Sequence, residues 1–272
     1  MKRIVLWPSE LSGVTGYSKF CNLDEILKRN DLSKVYIPKS SVEESLLSRS
    51  HVELTELKKE LKLPESANII DIEKHIKENI INKSLDKEIT EDKSKTNINN
   101  ELINKPILSK ICESAIKKDL RMKRGNVKEN HNLNKTEKQF NMKISHRNSQ
   151  KYCKSLYTSP DSIYEIVLRG KVDGKTDDII IETKNRSYKL FKTIPIYEKV
   201  QLEAYMFLTG LEKTIHIECY NDEQIKTEYN HDEDFWNICF KNIVNYVDVN
   251  IRPHIVNSTI LEVEPEPEAE FK

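Results

Sequence analysis

The sequence predicts an α/β fold: a mixed central β-sheet flanked by α-helices, with a helical insertion. Three observations carry this. Apolar residues recur at helical intervals over 41–63 and again from Pro106 to Phe140. From Tyr152 the pattern changes to short branched and aromatic runs bounded by glycine and polar turns, as in strands. Those runs then alternate with two amphipathic stretches, and helices interleaved with strands pack on the faces of a sheet.

Taken in order, Ile4 to Trp7 reads as a short strand and Pro8-Ser9 as the opening of a helix that closes at Gly16. A helix is predicted over Leu23–Lys28, another over 41–63, and a short one near Ile70–Ile81. Residues 83–104, KSLDKEITEDKSKTNINNELIN, hold few apolar residues and no aromatic, and read as a mobile linker. A helix runs from Pro106 to Phe140, with a break allowed at Gly125. KYCKSLYT and SIYEIVLRGKVDG are strands, and DDIIIETKN pairs back after a turn at Gly174-Lys175-Thr176. IPIYEKVQLEAYMFLTG is a helix capped by Gly210. TIHIECYN is a strand, DEDFWNICFKNIVNYVDVNI an apolar amphipathic helix. The resulting organisation is 1–40, an N-terminal part of the main domain; 41–105, the helical insertion with its linker at 83–104; 106–260, the core; and 261–272, an acidic disordered tail.

Charged residues make up 32% of the 272 and hydrophobic ones 37%, with a mean hydropathy of -0.64. That balance predicts a modest core. No apolar run approaches the ~20 residues that span a bilayer, and the stretch that ends at Pro8 is too short for a signal peptide. The five cysteines, Cys21, Cys112, Cys153, Cys219 and Cys239, form no Cys-x-x-Cys pair, which argues for free thiols in a reducing compartment over a zinc site. A soluble, intracellular protein is expected. The neutral net charge hides an asymmetry: Ile103 to Lys154 holds fourteen Lys/Arg against four Asp/Glu. Such a segment is either a phosphate-binding surface, with Arg124 among its candidates, or a solvated helix face.

The stretch VDGKTDDIIIETKNR carries the chemistry. Side chains alternate along a strand, so Ile180, Glu182 and Lys184 share one face. Asp173 lies nine positions before Glu182 across the turn, within reach of one cation. Two carboxylates with the Thr183 main-chain carbonyl make an all-oxygen site suited to Mg²⁺, with Mn²⁺ able to substitute. Lys184 beside it can orient a water or balance charge on a phosphorane. On its own, Asp-x(8)-Glu-x-Lys fits an exposed hairpin with a surface ion pair as readily. Three features add weight. Gln201 and Tyr205 stand at i and i+4 on one helix face. Glu129, on a helix in the basic segment, supplies a third carboxylate. Ser9, at a helix start, can meet an anion.

These pieces, in this order, resemble the YqaJ and lambda-exonuclease branch of the PD-(D/E)XK nucleases, allied to RecB-type domains. PSELSGVTGYSKF is similar to the first motif, RGNVKEN to the Gly-x-x-x-Glu helix, VDG with IIIETK to the core Asp, Glu and Lys, and QLEAY to the final Gln-x-x-x-Tyr. The resemblance implies a restriction-endonuclease-like core and a Mg²⁺-dependent deoxyribonuclease, foremost an exonuclease working on linear duplex ends in recombination, repair or replication. It implies Asp173, Glu182 and Glu129 as metal ligands, Lys184 as the catalytic lysine, Gln201 in support, and Ser9 with Arg3 holding the phosphate of the DNA end. A recombination or annealing protein and a second copy of the chain are the partners it implies. The clustered cysteines of some RecB-like relatives are missing, so no iron–sulfur cluster is expected. The Lys/Ile/Asn-rich composition points to an AT-rich genome such as that of a large DNA virus. An inactive DNA-binding or partner module, a structure-specific endonuclease, and a helical interaction protein remain alternatives.

Overall fold

The structure is a computed structural model, and it describes residues 1–32, 40–91, 93, 98–147 and 150–261. The predicted acidic tail from 262 onward and part of the 83–104 segment lie outside the described residues.

The molecule is a mixed α/β fold with a helical insertion. The core opens with β1 (Lys2–Leu6), a 3₁₀ turn (Pro8–Glu10), α1 (Leu11–Val14) and α2 (Leu23–Arg29). The insertion follows as α3 (Ser41–Leu47), α4 (His51–Leu61), α5 (Ile69–Ile76), a π-helical turn (Lys77–Asn82), α6 (Lys83–Thr90) and α7 (Asn99–Leu102). A single helix, α8 (Pro106–Phe140), returns to the core. There β2 (Tyr152–Thr158), β3 (Tyr164–Gly170), β4 (Gly174–Lys175) and β5 (Ile180–Asn185) lead into α9 (Ile196–Thr209). The chain ends with β6 (Lys213–Tyr220), β7 (Glu223–Asn230), α10 (Glu233–Asn250) and α11 (Arg252–Leu261).

The strands form two mixed sheets in place of one central sheet. One has the order β1-β3-β2 and the other β4-β5-β6-β7, each with one parallel pair, β1 with β3 and β5 with β6. Consequently β3 is not the hairpin partner of β5. That partner is the two-residue β4, through Gly174 opposite Ile181 and Lys175 opposite Ile180, so the predicted turn residues are themselves a strand. Gly174 is required there, because a Cβ on it would stand 2.3 Å from Ile144 Cγ2.

Two differences concern the insertion. The predicted helix over 41–63 is two helices, because Ser50 caps a new start: its hydroxyl accepts from Glu53 N–H while Glu53 reaches back to Ser50 N–H. The predicted linker is in part helical. Ser84, Leu85 and Glu88 form the buried face of α6, while Lys83, Asp86 and Lys87 face water and depress the apolar content. The insertion has its own core, built on Val42, Leu46, Leu57, Ile72, Ile76 and Leu85, and the first half of α8 belongs to it through Leu108, Ile111, Cys112, Ile116 and Leu120. The boundary predicted at 105/106 therefore falls inside a shared core. No break occurs at Gly125.

The main core packs β1, β3 and one face of β5 against α9 and α10, with Ile4, Leu6, Ile166, Leu168, Ile180, Val200, Ala204 and Ile243 buried. The other face of β5 sends Ile181 to a smaller cluster with Leu133, Ile144, Ile215 and Ile217. Alternation along one strand thus serves two cores. None of the five cysteines forms a disulfide. No helix among the described residues is long and apolar enough to cross a membrane.

Candidate functional site

On β5 the apolar run ends where the strand passes under α9. Ile180 points to the main core, so two residues on Glu182 points the same way, toward α9, and is 2% exposed. Lys184 follows on that face. Helix α9 begins after Pro195, in an extended conformation that suits a helix start, and is closed by Gly210 at φ 74. It presents Gln201 and, one turn on, Tyr205.

These residues meet. Lys184 Nζ donates to Glu182 Oε1 at 2.7 Å and to Gln201 Oε1 at 2.8 Å. Gln201 Nε2 donates to Glu182 Oε1 at 3.2 Å and to the Tyr205 hydroxyl at 2.8 Å. Asp173 Oδ2 accepts from Thr183 N–H at 2.7 Å and from the Thr183 hydroxyl at 2.8 Å. The N–H and C=O of a strand residue point to the same edge, so the Thr183 carbonyl also lies on the Asp173 side. Glu129, from the second half of α8, hydrogen-bonds to Asp173.

The electrostatics are those of crowded carboxylates. Burial, then Asp173, pushes the Glu182 carboxyl up to about 8 against the pull of Lys184. Burial, then Asp173 and Glu182, pushes Glu129 up to about 8 against the pull of Lys171. Burial works against the charge of Lys184, yet Glu182 and Asp173 hold its ammonium above its ordinary range. Burial and the same acids hold the Tyr205 phenol protonated well above its usual range. Glu182 Oε2 is buried with no hydrogen-bond partner among the described residues. Three carboxylates, an oxygen lacking a donor and a carbonyl on the same edge fit a hard divalent cation held by oxygen.

The first motif and the basic segment are placed differently. Arg3 lies on the surface, its Nε on Glu165 at 3.1 Å. Ser9 is exposed in the 3₁₀ turn, where Glu10, not Ser9, caps the start by accepting from Trp7 N–H at 3.1 Å. Neither residue bonds to the acidic cluster. Arg124 is a correction: it is 4% exposed and gives Nε and Nη2 to Glu88 at 2.7 and 2.8 Å. This bidentate pair joins α8 to α6 and takes the guanidinium away from phosphate.

A second polar group lies beyond what the sequence suggested. Arg186, the next residue on the Glu182–Lys184 face, donates to Glu198 at 2.6 and 2.7 Å and to Glu218 at 2.6 Å. His216 Nε2 stands 2.9 Å from Glu198 Oε2. Donor atoms of Glu198, His216 and Glu218 lie within 4.8 Å of one another, close enough to hold a metal ion, but Arg186 is the cation among them. His216 is the β6 neighbour of Glu182, and Glu218 that of Lys184. The available signals were the continued alternation to Arg186 and the spacing of Glu198 three residues before Gln201.

No family model and no curated protein matches this chain. Among solved structures, that of SSO0001 is similar at 18% identity and a TM-score of 0.35, over 75% of this chain and 88% of that one, a likeness too slight to inform the site.

Proposed function

We propose that the chain is a Mg²⁺-dependent deoxyribonuclease, foremost an exonuclease that shortens linear DNA from its ends. The observation that carries this reading is the meeting of Glu129, Asp173 and Glu182, with Lys184 on one oxygen of Glu182 and the other oxygen buried without a hydrogen-bond partner among the described residues. Asp173, Glu182, Glu129 and the Thr183 carbonyl would hold Mg²⁺, for which Mn²⁺ can substitute. Bound there, the ion would lower the pKa of a water and polarise a phosphoryl oxygen.

The chain's own groups do the rest. The Lys184 ammonium, kept charged by Glu182 and Asp173, faces the negative charge that grows on the phosphoryl oxygens in the transition state. Gln201 fixes that ammonium with its carbonyl and is itself oriented by Tyr205. Asp173 is held by two donors from Thr183 on one oxygen, so its carboxylate is fixed beside Glu129 without rotamer search. The resemblance to PD-(D/E)XK nucleases assigns the same residues to the same chemistry.

The test is digestion of end-labelled linear duplex DNA with Mg²⁺, comparing the natural chain with Lys184→Ala and Asp173→Ala. Shortening by the natural chain alone, with both variants folded, supports the reading. A natural chain that leaves linear and circular, single- and double-stranded DNA intact with Mg²⁺ or Mn²⁺ sinks it. Degradation of circular DNA would move the assignment from exonuclease to endonuclease.

A further inference from the structure

A cavity of about 960 Å³ opens between α3, the first half of α8 and the segment after β5. Its walls carry Arg49, Lys110, Lys117, Lys118 and Arg121. The acid among its lining residues is Glu113, which Lys117 already holds at 2.5 Å and Ser109 at 2.7 Å. Arg124 reaches the wall too, but Glu88 neutralises it. At the rim stands Tyr188, 77% exposed, four residues after Lys184. Concentrated positive charge with an exposed ring beside it is the chemistry that takes an unpaired nucleic-acid strand: cations follow phosphates and an aromatic face stacks on a base.

The groove also leads somewhere. Lys117, Arg121, Gly125 and Glu129 follow one another at i+4 on α8, so they form one ridge from the cavity to the acidic cluster. Arg121 and Glu129 are eight residues apart, roughly 12 Å along the axis. Gly125 lies between them in mid-helix, where glycine weakens the helix. A Cβ there would meet nothing within 4 Å, so no neighbour among the described residues demands a glycine. What its bare backbone provides is clearance over the ridge.

We propose that this groove binds a single nucleic-acid strand and that the strand passes over Gly125 to the acidic cluster. Its destination rests on the deoxyribonuclease reading; its binding does not. The concavity admits a few nucleotides of one strand, whereas a duplex would touch only the rim.

The experiment measures anisotropy of labelled oligothymidine, and of a duplex of equal length, on the full chain without metal and at several salt concentrations. Lys110→Glu with Arg121→Glu is expected to weaken oligothymidine binding roughly tenfold or more and to flatten its salt dependence by about 0.7 for each phosphate no longer neutralised. Tyr188→Ala should weaken it about tenfold, while the control Lys241→Glu leaves it unchanged. The proposal is overturned if the groove variants bind as the natural chain does. It is equally overturned if duplex binds more tightly than the single strand, or if polyglutamate competes as well as oligothymidine, which would mark an acidic-protein surface. Gly125→Leu separates groove from destination. It should keep oligothymidine binding and lose Mg²⁺-dependent nucleotide release; full release by this variant removes the path over the ridge. A natural chain with intact groove binding and no hydrolysis at all sinks the deoxyribonuclease reading and leaves the groove standing.

Discussion

Gln201 and Lys184 are joined at 2.8 Å, and both reach the same oxygen of Glu182, so amide, ammonium and carboxylate close a ring between α9 and β5. Gln201→Ala opens it and leaves the Tyr205 hydroxyl and one bond of Lys184 unsatisfied. The expected cost is ~1–3 kcal/mol of stability. Turnover is expected to fall about a hundredfold, as for other transition-state positioning groups. Urea unfolding and initial rates measured on one preparation check both figures.

Metal and pH are linked at the cluster. A carboxyl that binds its proton more tightly folded than unfolded loses stability as pH rises, here from the ordinary 4.5 toward the value of about 8 that Glu182 and Glu129 share. Mg²⁺ competes with those protons, so its stabilisation should be larger at pH 8 than at pH 6. Thermal melts with and without Mg²⁺ across that range check it. Glu182→Gln should flatten the difference.

Arg186 answers to two buried acids. Its removal in Arg186→Ala leaves Glu198 and Glu218 uncompensated and is expected to cost ~3–5 kcal/mol. In the natural chain burial raises Glu198, but His216 and Arg186 outweigh it and hold the carboxyl at about 2. The stability from that depression is complete above 4.5 and is lost as pH falls toward about 2. Acid titration of unfolding should show this window, and Arg186→Ala should narrow it. Since Glu198, His216 and Glu218 remain within 4.8 Å, Zn²⁺ should recover part of the variant's stability.

Gly174→Ala tests how firmly Asp173 is held. The added Cβ, 2.3 Å from Ile144 Cγ2, forces β4 away from the 144–147 segment that pairs with it through Ser145 and Lys175. A loss of ~1–3 kcal/mol is expected. Weaker Mg²⁺ binding by calorimetry should accompany it, because Asp173 moves with its neighbour.

Arg124→Ala should loosen the contact between α6 and α8, at ~3–5 kcal/mol, because the buried Glu88 loses its bidentate partner. Under conditions where the variant stays folded, the salt dependence of DNA binding should match that of the natural chain. A flatter slope would return Arg124 to the phosphate-binding surface.

What is legible in the sequence follows range of interaction. Alternation within β5 places Glu182 and Lys184 on one face, and the i, i+4 spacing places Gln201 beside Tyr205, because both rules act over a few residues. Pairing across the chain is hidden. Glu88 reads as part of a mobile linker and Arg124 as a phosphate-binding candidate or a solvated charge, yet they meet across 36 residues in the interior. β7 escapes a reading by periodicity because QIKTEYN is polar on its outer face; Asn221, at φ 52, turns the chain into it. The short β4 reads as a turn, since two residues carry no periodicity. Division of the strands into two sheets depends on which edges find each other, and no local pattern reports that.

The length of α8 has a mechanical consequence. At 35 residues it is a rod of roughly 50 Å, held in the insertion's core by its first half and against β5 by Leu133, one turn beyond Glu129. Held at both places, α8 is a tie beam between the two cores. Glu129 is thereby kept in place by the same packing that fixes β5, and loosening of the insertion reaches it only by bending the rod.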